Sequence, residues 1–94
     1  MEYNKYEDIY PLTIILDRYN GAYSGGKWLA FNQYYYNIPE EIDDGDVECC
    51  VFWSNQRSLE KNNENYMIIG IGDTIDEAMK DLLKKVNERE NNNE

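Results

Sequence analysis

The residues best suited to chemistry lie in a glycine-rich segment between two apolar runs, residues 21–27. This segment fits the phosphate-loop pattern G-x-x-x-x-G-K, in which backbone amides and the lysine hold the phosphates of a nucleotide. The pattern requires Ser or Thr at the next position, because that hydroxyl binds the magnesium ion, but this chain has Trp28. It also requires a helix whose N-terminus receives the phosphate, whereas residues 28–33 have the composition of a strand. The sequence therefore argues against nucleotide hydrolysis at this loop.

The same loop has the parts of an anion-binding hairpin tip. Glycine amides can cradle an anion, Lys27 can pair with it, and aromatic rings can stack on a base. The alternative is a structural turn, in which the glycines adopt positive φ and Trp28 packs in the core. Both interpretations stay open here. The candidate ligand loop comprises Tyr19, Tyr23, Ser24, Gly25, Gly26, Lys27 and Trp28.

A second candidate site is a run of six acidic residues between Ile38 and Glu48, which contains no basic residue. Such a run could imitate the phosphates of a nucleic acid, bind calcium, or form an ordinary solvated turn. Calcium is disfavoured because the spacing D-x-D-x-D-G of calcium-binding loops is absent. Mimicry predicts a partner protein with a basic surface. The mimic residues would be Glu40, Glu41, Asp43, Asp44, Asp46 and Glu48.

Three consecutive tyrosines precede the acidic run. Tyrosine is common at interfaces because its ring is large and apolar while its hydroxyl is polar. On an extended chain Tyr34 and Tyr36 would share one face, with Tyr35 opposite. We expect Tyr34 and Tyr36 to add apolar contact to partner binding, and packing in the core is the alternative.

Catalytic groups are scarce in this chain. It has no histidine, so the usual proton shuttle at neutral pH and the commonest metal ligand are missing. Cys49 and Cys50 have no candidate base near them in the sequence, and neighbours on a strand point to opposite faces, which hinders a bridge between them. The sequence therefore predicts a binding protein rather than an enzyme, with no catalytic residue, metal or cofactor.

Composition limits the class of partner. Nine basic and nineteen acidic residues among 94 give a net charge of −10, which repels nucleic acid and anionic membranes. Residues 1–10 do not resemble a secretory signal, and no apolar run is long enough to span a membrane. We expect one cytoplasmic domain over residues 1–94 that binds another protein. A homo-oligomer also stays open.

The elements that would position these residues form an α+β domain. Apolar runs bounded by turn residues predict an antiparallel sheet of about four strands. Residues 54–65 are polar and rich in asparagine, which indicates a mobile surface loop. The predicted strands are residues 12–16, 27–33, 47–53 and 66–71.

One C-terminal helix is predicted to pack on a face of this sheet. Thr74 and Glu77 have the spacing of a capping box, in which each side chain satisfies a free amide at the start of a helix. Apolar residues then recur at helical spacing: Ile75, Ala78, Met79, Leu82, Leu83 and Val86. Residues 1–10 are expected to be a polar lead-in, and residues 88–94 a frayed tail.

Two family resemblances appear at these residues. Tyr19-Asn20, Gly26, Lys27 and Trp28 resemble the opening of the ArdA-type antirestriction proteins, where an apolar strand leads into Tyr-Asn, a glycine, Gly-Arg/Lys-Trp and an acidic stretch. The resemblance covers about the first half of the chain. That family consists of acidic, mobile-element proteins that imitate DNA and block restriction enzymes. It implies that the acidic run is the mimic surface, although this chain is shorter and lacks the family's further domains.

The second resemblance lies near the C-terminus. Residues 69–78 are similar to the strand-to-helix junction of HicB-type antitoxins, where a G-D-T-x-x-E-A run recurs. This similarity implies a small sheet with a packed helix.

These observations predict a small acidic anti-defence protein of a phage or mobile element. We expect it to bind and inhibit a host defence nuclease or restriction-type complex by nucleic-acid mimicry, without binding nucleic acid or membranes itself. One alternative is an oligomer that sequesters a small signalling nucleotide through residues 21–28. Another is a HicB-like antitoxin or partner-binding protein.

Overall fold

The computed structural model describes residues 9–62 and 66–92. It has an α+β fold, in which a three-stranded antiparallel sheet carries one helix on each face. Most of the predicted lead-in, and residues 63–65 and 93–94 of the predicted loop and tail, lie outside the described ranges. The elements in chain order are β1 (Thr13–Leu16), β2 (Trp28–Phe31), two 3-10 turns (Tyr35–Asn37 and Glu40–Ile42), α1 (Asp46–Lys61), β3 (Ile69–Gly72) and α2 (Ile75–Asn92).

The central strand β2 divides its side chains between two cores. It pairs with β1 on one side and β3 on the other, so Leu29 lies opposite both Ile15 and Ile71. Because successive strand residues point to opposite faces, Leu29 and Phe31 lie on one side of the sheet and Ala30 on the other. All three β2 residues are completely buried. The predicted hairpin of the first two strands is confirmed.

Each helix covers one of these faces. The first core joins α1 and the second 3-10 turn to the sheet, and its buried members are Leu29, Phe31, Ile42, Cys49, Trp53 and Ile69. The second core joins α2 to the opposite face, and its buried members are Ile9, Ala30, Ala78, Leu82 and Val86. The sheet is therefore the middle layer of three.

The Thr74 half of the predicted capping box is confirmed, whereas Glu77 bonds to Asp73, one residue before the cap. The Glu77 amide donates to Thr74 Oγ1 at 3.1 Å, and Glu77 Oε2 accepts the Asp73 amide at 3.1 Å. The helix then lies directly on β3, where a Cβ on Gly70 would come within 2.2 Å of the Ala78 carbonyl oxygen. Glycine is required at that position because the helix and strand backbones approach too closely for a side chain. The helix ends at Asn92, within the tail that we expected to fray.

The predicted strand at residues 47–53 is wrong, and so is the count of four strands and one helix. These residues form the first half of α1, which continues through residues 54–61 of the predicted loop. Alternating apolar residues suggested a strand, but they form two pairs four residues apart, the spacing of neighbours on a helix. Cys49 and Trp53 point into the core, while Val47 and Val51 are exposed. Acidic residues in the first turn and Lys61 in the last also favour this helix through its dipole.

The outer edge of β3 is capped by side chains of α2. The register leaves the amide and carbonyl of Ile69 and Ile71 pointing away from β2. The Ile71 amide donates to Asp81 Oδ2 at 2.8 Å, and Lys85 Nζ donates to the Ile69 carbonyl at 2.9 Å. Asp81 and Lys85 also pair with each other at 2.9 Å. Two of the four outward groups of this edge are therefore already bonded to α2, which hinders pairing with another strand.

Candidate functional site

A buried carboxylate organises the glycine-rich loop. Asp17 is 3 % exposed. It accepts the Tyr19 amide at 2.9 Å, the Gly21 amide at 3.1 Å and the Ser24 hydroxyl. Asn20 and Gly21 have positive φ, which lets the chain turn around this carboxylate. The turn predicted at this place is therefore built around Asp17, a residue that the sequence did not single out.

This arrangement leaves little of the loop available to an anion. The Gly21 amide faces the Asp17 carboxylate, the Gly25 amide donates to the Gly21 carbonyl, and Gly26 is buried. The negative charge of Asp17 thus occupies the place that a phosphate would take in an anion cradle. Lys27 is exposed, but Trp28 is half-buried against the α2 core. The geometry favours the structural interpretation of this loop.

The loop instead supports the acidic run. Arg18 Nη1 donates to the Asp43 carbonyl and the Tyr19 hydroxyl donates to the Asp44 carbonyl. Tyr19 and Tyr23 form an edge-to-face pair, with ring centroids 5.5 Å apart, and pack against the α1 core. The two segments singled out in the sequence therefore form one unit, in which hydrogen bonds from the loop hold the backbone of the acidic turn.

All six acidic residues of the run are exposed, and we call this set the acidic surface. Glu40 and Glu41 lie on the second 3-10 turn, Asp43 and Asp44 follow it, and Asp46 and Glu48 lie in the first turn of α1. Among the described residues the ion pairs are on α2, at Asp76–Lys80 and Asp81–Lys85, and none involves the acidic surface. The negative charge of this surface is therefore directed to solvent.

Half of the acidic surface also has a local structural role. Asp44 Oδ1 accepts the Gly45 amide at 2.9 Å, and Asp46 and Glu48 lie at the helix N-terminus, where negative charge is stabilising. The side chains of Glu40, Glu41 and Asp43 make no hydrogen bond or ion pair within the described ranges. These three carboxylates are the ones whose presence the fold does not explain.

Two exposed valines lie between the carboxylates and form what we call the valine ridge. Val47 is 71 % exposed and Val51 52 % exposed. On one side, a groove of 530 Å³ is lined by Pro39, Glu41, Val47, Glu48, Val51, Phe52 and Asn55. On the other side, a groove of 290 Å³ is lined by Tyr23, Asp46, Val47, Cys50 and Val51. The ridge is thus an apolar strip with carboxylates along both flanks.

The tyrosines lie apart from this ridge. The rings of Tyr34 and Tyr36 are stacked at 5.3 Å, and Tyr35 packs edge-on against Tyr36. Tyr10 packs edge-on against Tyr34 at 6.1 Å. We call these four exposed rings the tyrosine cluster, and its Tyr35 lines a cleft together with Thr13 of β1. Only Tyr35 also borders Glu40 and Asp43, across a small cleft.

Three groups near the acidic surface have shifted pKa values. Burial raises the pKa of the Tyr19 and Tyr23 hydroxyls, and the negative charge of Asp46 adds to the effect. Burial also raises the pKa of the Cys49 thiol, with a smaller contribution from Asp17. Each of these groups therefore stays protonated to a higher pH than usual, which gives none of them the character of a nucleophile or base at neutral pH.

Within the described ranges, no group of three or more His, Cys, Asp or Glu side chains is placed to hold a metal ion. The six carboxylates of the acidic surface consequently do not converge on one point, as calcium ligands do. Neither helix in the described part of the chain combines the length and apolar character needed to cross a membrane. Within the described ranges, the six carboxylates form an exposed charged surface.

Sequence reasoning missed the residues that complete this surface. Asp17 gave no signal because its role depends on a loop closing around it. Val47 and Val51 lie in the predicted strand at residues 47–53, and only their spacing of four residues could have indicated an exposed helix face. Comparison of the chain with protein-family models, with curated proteins and with solved structures gave no match, and the surface is interpreted from its own geometry.

Proposed function

We propose that this protein is a non-enzymatic inhibitor that occupies the basic nucleic-acid site of another protein with its acidic surface. The target class is a host defence nuclease or restriction-type complex, and the protein would act in the cytoplasm of the host cell as a product of a phage or mobile element. The observation that carries this proposal is the run of six exposed carboxylates without an ion pair in the described ranges. The target class comes from the resemblance to the ArdA-type proteins.

Electrostatics supports binding to a basic site. Exposed charges act over about 10 Å at 0.1 M salt, so neighbouring carboxylates on one surface add their potentials. A concentrated negative surface on a chain of net charge −10 speeds association with a positive surface and suppresses binding to nucleic acid itself. The inhibition is therefore expected to be fast and to weaken as salt rises.

The valine ridge supports a protein partner. Val47 and Val51 lie between Asp46 on one flank and Glu41 and Glu48 on the other. Apolar side chains at the centre of a charged patch are typical of interface cores, where they exclude water from the surrounding polar contacts. The tyrosines that we expected to supply this contact lie beside β1 instead, and we assign the apolar contribution to the ridge.

The test uses bacterial strains that each carry one defence nuclease or restriction complex. Expression of this protein should restore plating of an unmodified phage on at least one strain, and the purified protein should displace DNA from that complex. The diagnostic variant is Glu40→Gln/Glu41→Gln/Asp43→Asn, because these side chains make no hydrogen bond or ion pair with another described residue. If each ion pair contributes up to about 1 kcal/mol, their loss weakens inhibition roughly 10- to 100-fold.

A matched control separates the acidic surface from total charge. Glu60→Gln/Asp73→Asn/Glu88→Gln changes the net charge equally at three exposed positions elsewhere. We expect it to inhibit like the unchanged protein. Equal loss of inhibition in both triple variants would show that only net charge matters, and full inhibition by the first variant would exclude the acidic surface. If plating is restored on none of the strains, the anti-defence proposal is contradicted.

A further inference from the structure

The outer edge of β1 is open within the described part of the chain. The Asp17 amide donates to the Lys27 carbonyl at 2.8 Å, which fixes the alternation of hydrogen-bonded pairs along β1 and β2. By that alternation the amides and carbonyls of Ile14 and Leu16 point away from β2. No other described residue bonds to them. This edge contrasts with that of β3, where the Ile71 amide and the Ile69 carbonyl are bonded to Asp81 and Lys85.

Exposed apolar side chains concentrate beside this open edge. Eight large apolar residues are exposed in the described ranges, and five of them are Leu16 and the tyrosine cluster. A cleft of 260 Å³ separates β1 from the residues that follow the cluster, and its walls include Thr13, Ile15, Leu16, Tyr35 and Pro39. Glu40 and Asp43 also line this cleft, and through Tyr35 the tyrosine cluster adjoins the open strand.

The charge of this surface suits a second copy of the same chain. Between Tyr10 and Tyr19 the sequence holds one acid and one base, Asp17 and Arg18, while the acidic run carries six uncompensated acids. Asp17 is buried and hydrogen-bonded, and Arg18 reaches the Asp43 carbonyl at the far wall of the cleft. Glu40 and Asp43 line the far wall of the cleft, so two copies meet the least repulsion along the β1 edge itself.

We propose that β1 and the tyrosine cluster form a homodimer interface, in which the β1 strands of two copies pair antiparallel. A two-fold axis through Ile15 aligns the outward groups of Ile14 with those of Leu16 in the second copy. The two three-stranded sheets then form one six-stranded sheet, with both α1 helices on one face and both α2 helices on the other. The tyrosine clusters flank the new strand pair and supply the rigid aromatic area that interfaces favour.

Sedimentation equilibrium over a wide range of protein concentration tests this interface. We expect the unchanged protein to have twice the 11.2 kDa mass of the chain. Leu16→Lys places a charge on the open edge, a device that natural edge strands use against pairing. The two-fold axis repeats the change in each interface, so the dissociation constant should rise roughly 100-fold or more. The matched control is Val51→Lys, because both side chains are 52 % exposed, and it should remain dimeric.

Amide hydrogen exchange of the unchanged protein provides a second readout that needs no variant. In the dimer the Ile14 and Leu16 amides are protected, and their protection falls as dilution separates the copies. A protein that is monomeric at all concentrations would overturn the proposal. If that monomer still protects both amides, another segment of the same chain covers the β1 edge. A dimer that Val51→Lys dissociates and Leu16→Lys does not would place the interface on α1. Glu40 and Asp43 border the cleft beside β1. Dimerisation is measured by mass and inhibition by displacement of DNA, so this proposal and the proposed function can still fail separately.

Discussion

Replacing Asp17 with alanine is expected to destabilise the fold far more than replacing the exposed acid Asp43. The Asp17 carboxylate accepts three hydrogen bonds, from the amides of Tyr19 and Gly21 and from the Ser24 hydroxyl. A hydrogen bond to a charged group contributes about 1.5–3 kcal/mol net. Because the loop lies near the surface, water can replace part of each bond. We therefore expect Asp17→Ala to lower the free energy of unfolding by about 3–4 kcal/mol.

This loss is large relative to the stability of the chain. A domain of 94 residues has a free energy of unfolding of about 5–14 kcal/mol at the usual value per residue. Ser24→Ala removes one of the three bonds and should cost about 1 kcal/mol. Asp43→Ala removes a carboxylate that makes no contact supporting the fold, and should change stability by less than about 0.5 kcal/mol.

Urea unfolding at neutral pH, followed by the fluorescence of Trp28 and Trp53, measures all three variants against the unchanged protein. The difference in free energy is obtained from the midpoints if the slope with urea is unchanged. The expected order of destabilisation is Asp17→Ala, then Ser24→Ala, then Asp43→Ala. If Asp17→Ala costs no more than Asp43→Ala, the loop does not depend on its central carboxylate, and its support of the acidic surface must be rejected.

Two further predictions concern α2 and the thiols. Gly70→Ala should lower the free energy of unfolding by about 3 kcal/mol, because the added Cβ collides with α2. Gly25→Ala, in open space at positive φ, should cost about 1 kcal/mol in the same urea assay, and equal costs would contradict the collision. A thiol reagent should label exposed Cys50 quickly and buried Cys49 only after unfolding, whereas two fast thiols would show that the α1 core is open. Since folding raises the pKa of Cys49, its contribution to stability is present below its ordinary pKa near 9 and is lost as pH rises through the folded value.

Local sequence patterns correctly predicted those helices and strands whose apolar residues are buried as the pattern requires. The capping box at Thr74 and the apolar spacing that follows it predicted α2, and the apolar run with its glycine turn predicted the β1–β2 hairpin. Residues 47–53 misled the prediction because β-branched and aromatic side chains alternate there, as in a strand. The same residues fit both the two-residue period of a strand and the four-residue spacing of a helix. In the folded protein they form a helix, in which Cys49 and Trp53 are buried in the core while Val47 and Val51 are exposed.

The negative charge of the candidate site could be predicted from the sequence, but the contacts that hold its backbone in place could not. The density of acids near Glu40 is visible in the sequence without any knowledge of the fold. The bonds from Arg18 and Tyr19 to the carbonyls of Asp43 and Asp44 join positions 25 residues apart, and no local pattern encodes such a contact. For the same reason, the glycine-rich loop suggested a ligand site, whereas its amides are used by the chain itself.

The cap on the outer edge of β3 has a consequence for how many copies can assemble. A sheet with two open edges can add a strand at either end, and such growth has no natural stop, as in cross-β fibres. Within the described residues, Asp81 and Lys85 bond to β3, which leaves the β1 edge as the less obstructed place for strand addition. Pairing through β1 would use the open edge of both chains, so the contacts of Asp81 and Lys85 with β3 would favour a dimer over further growth of the sheet.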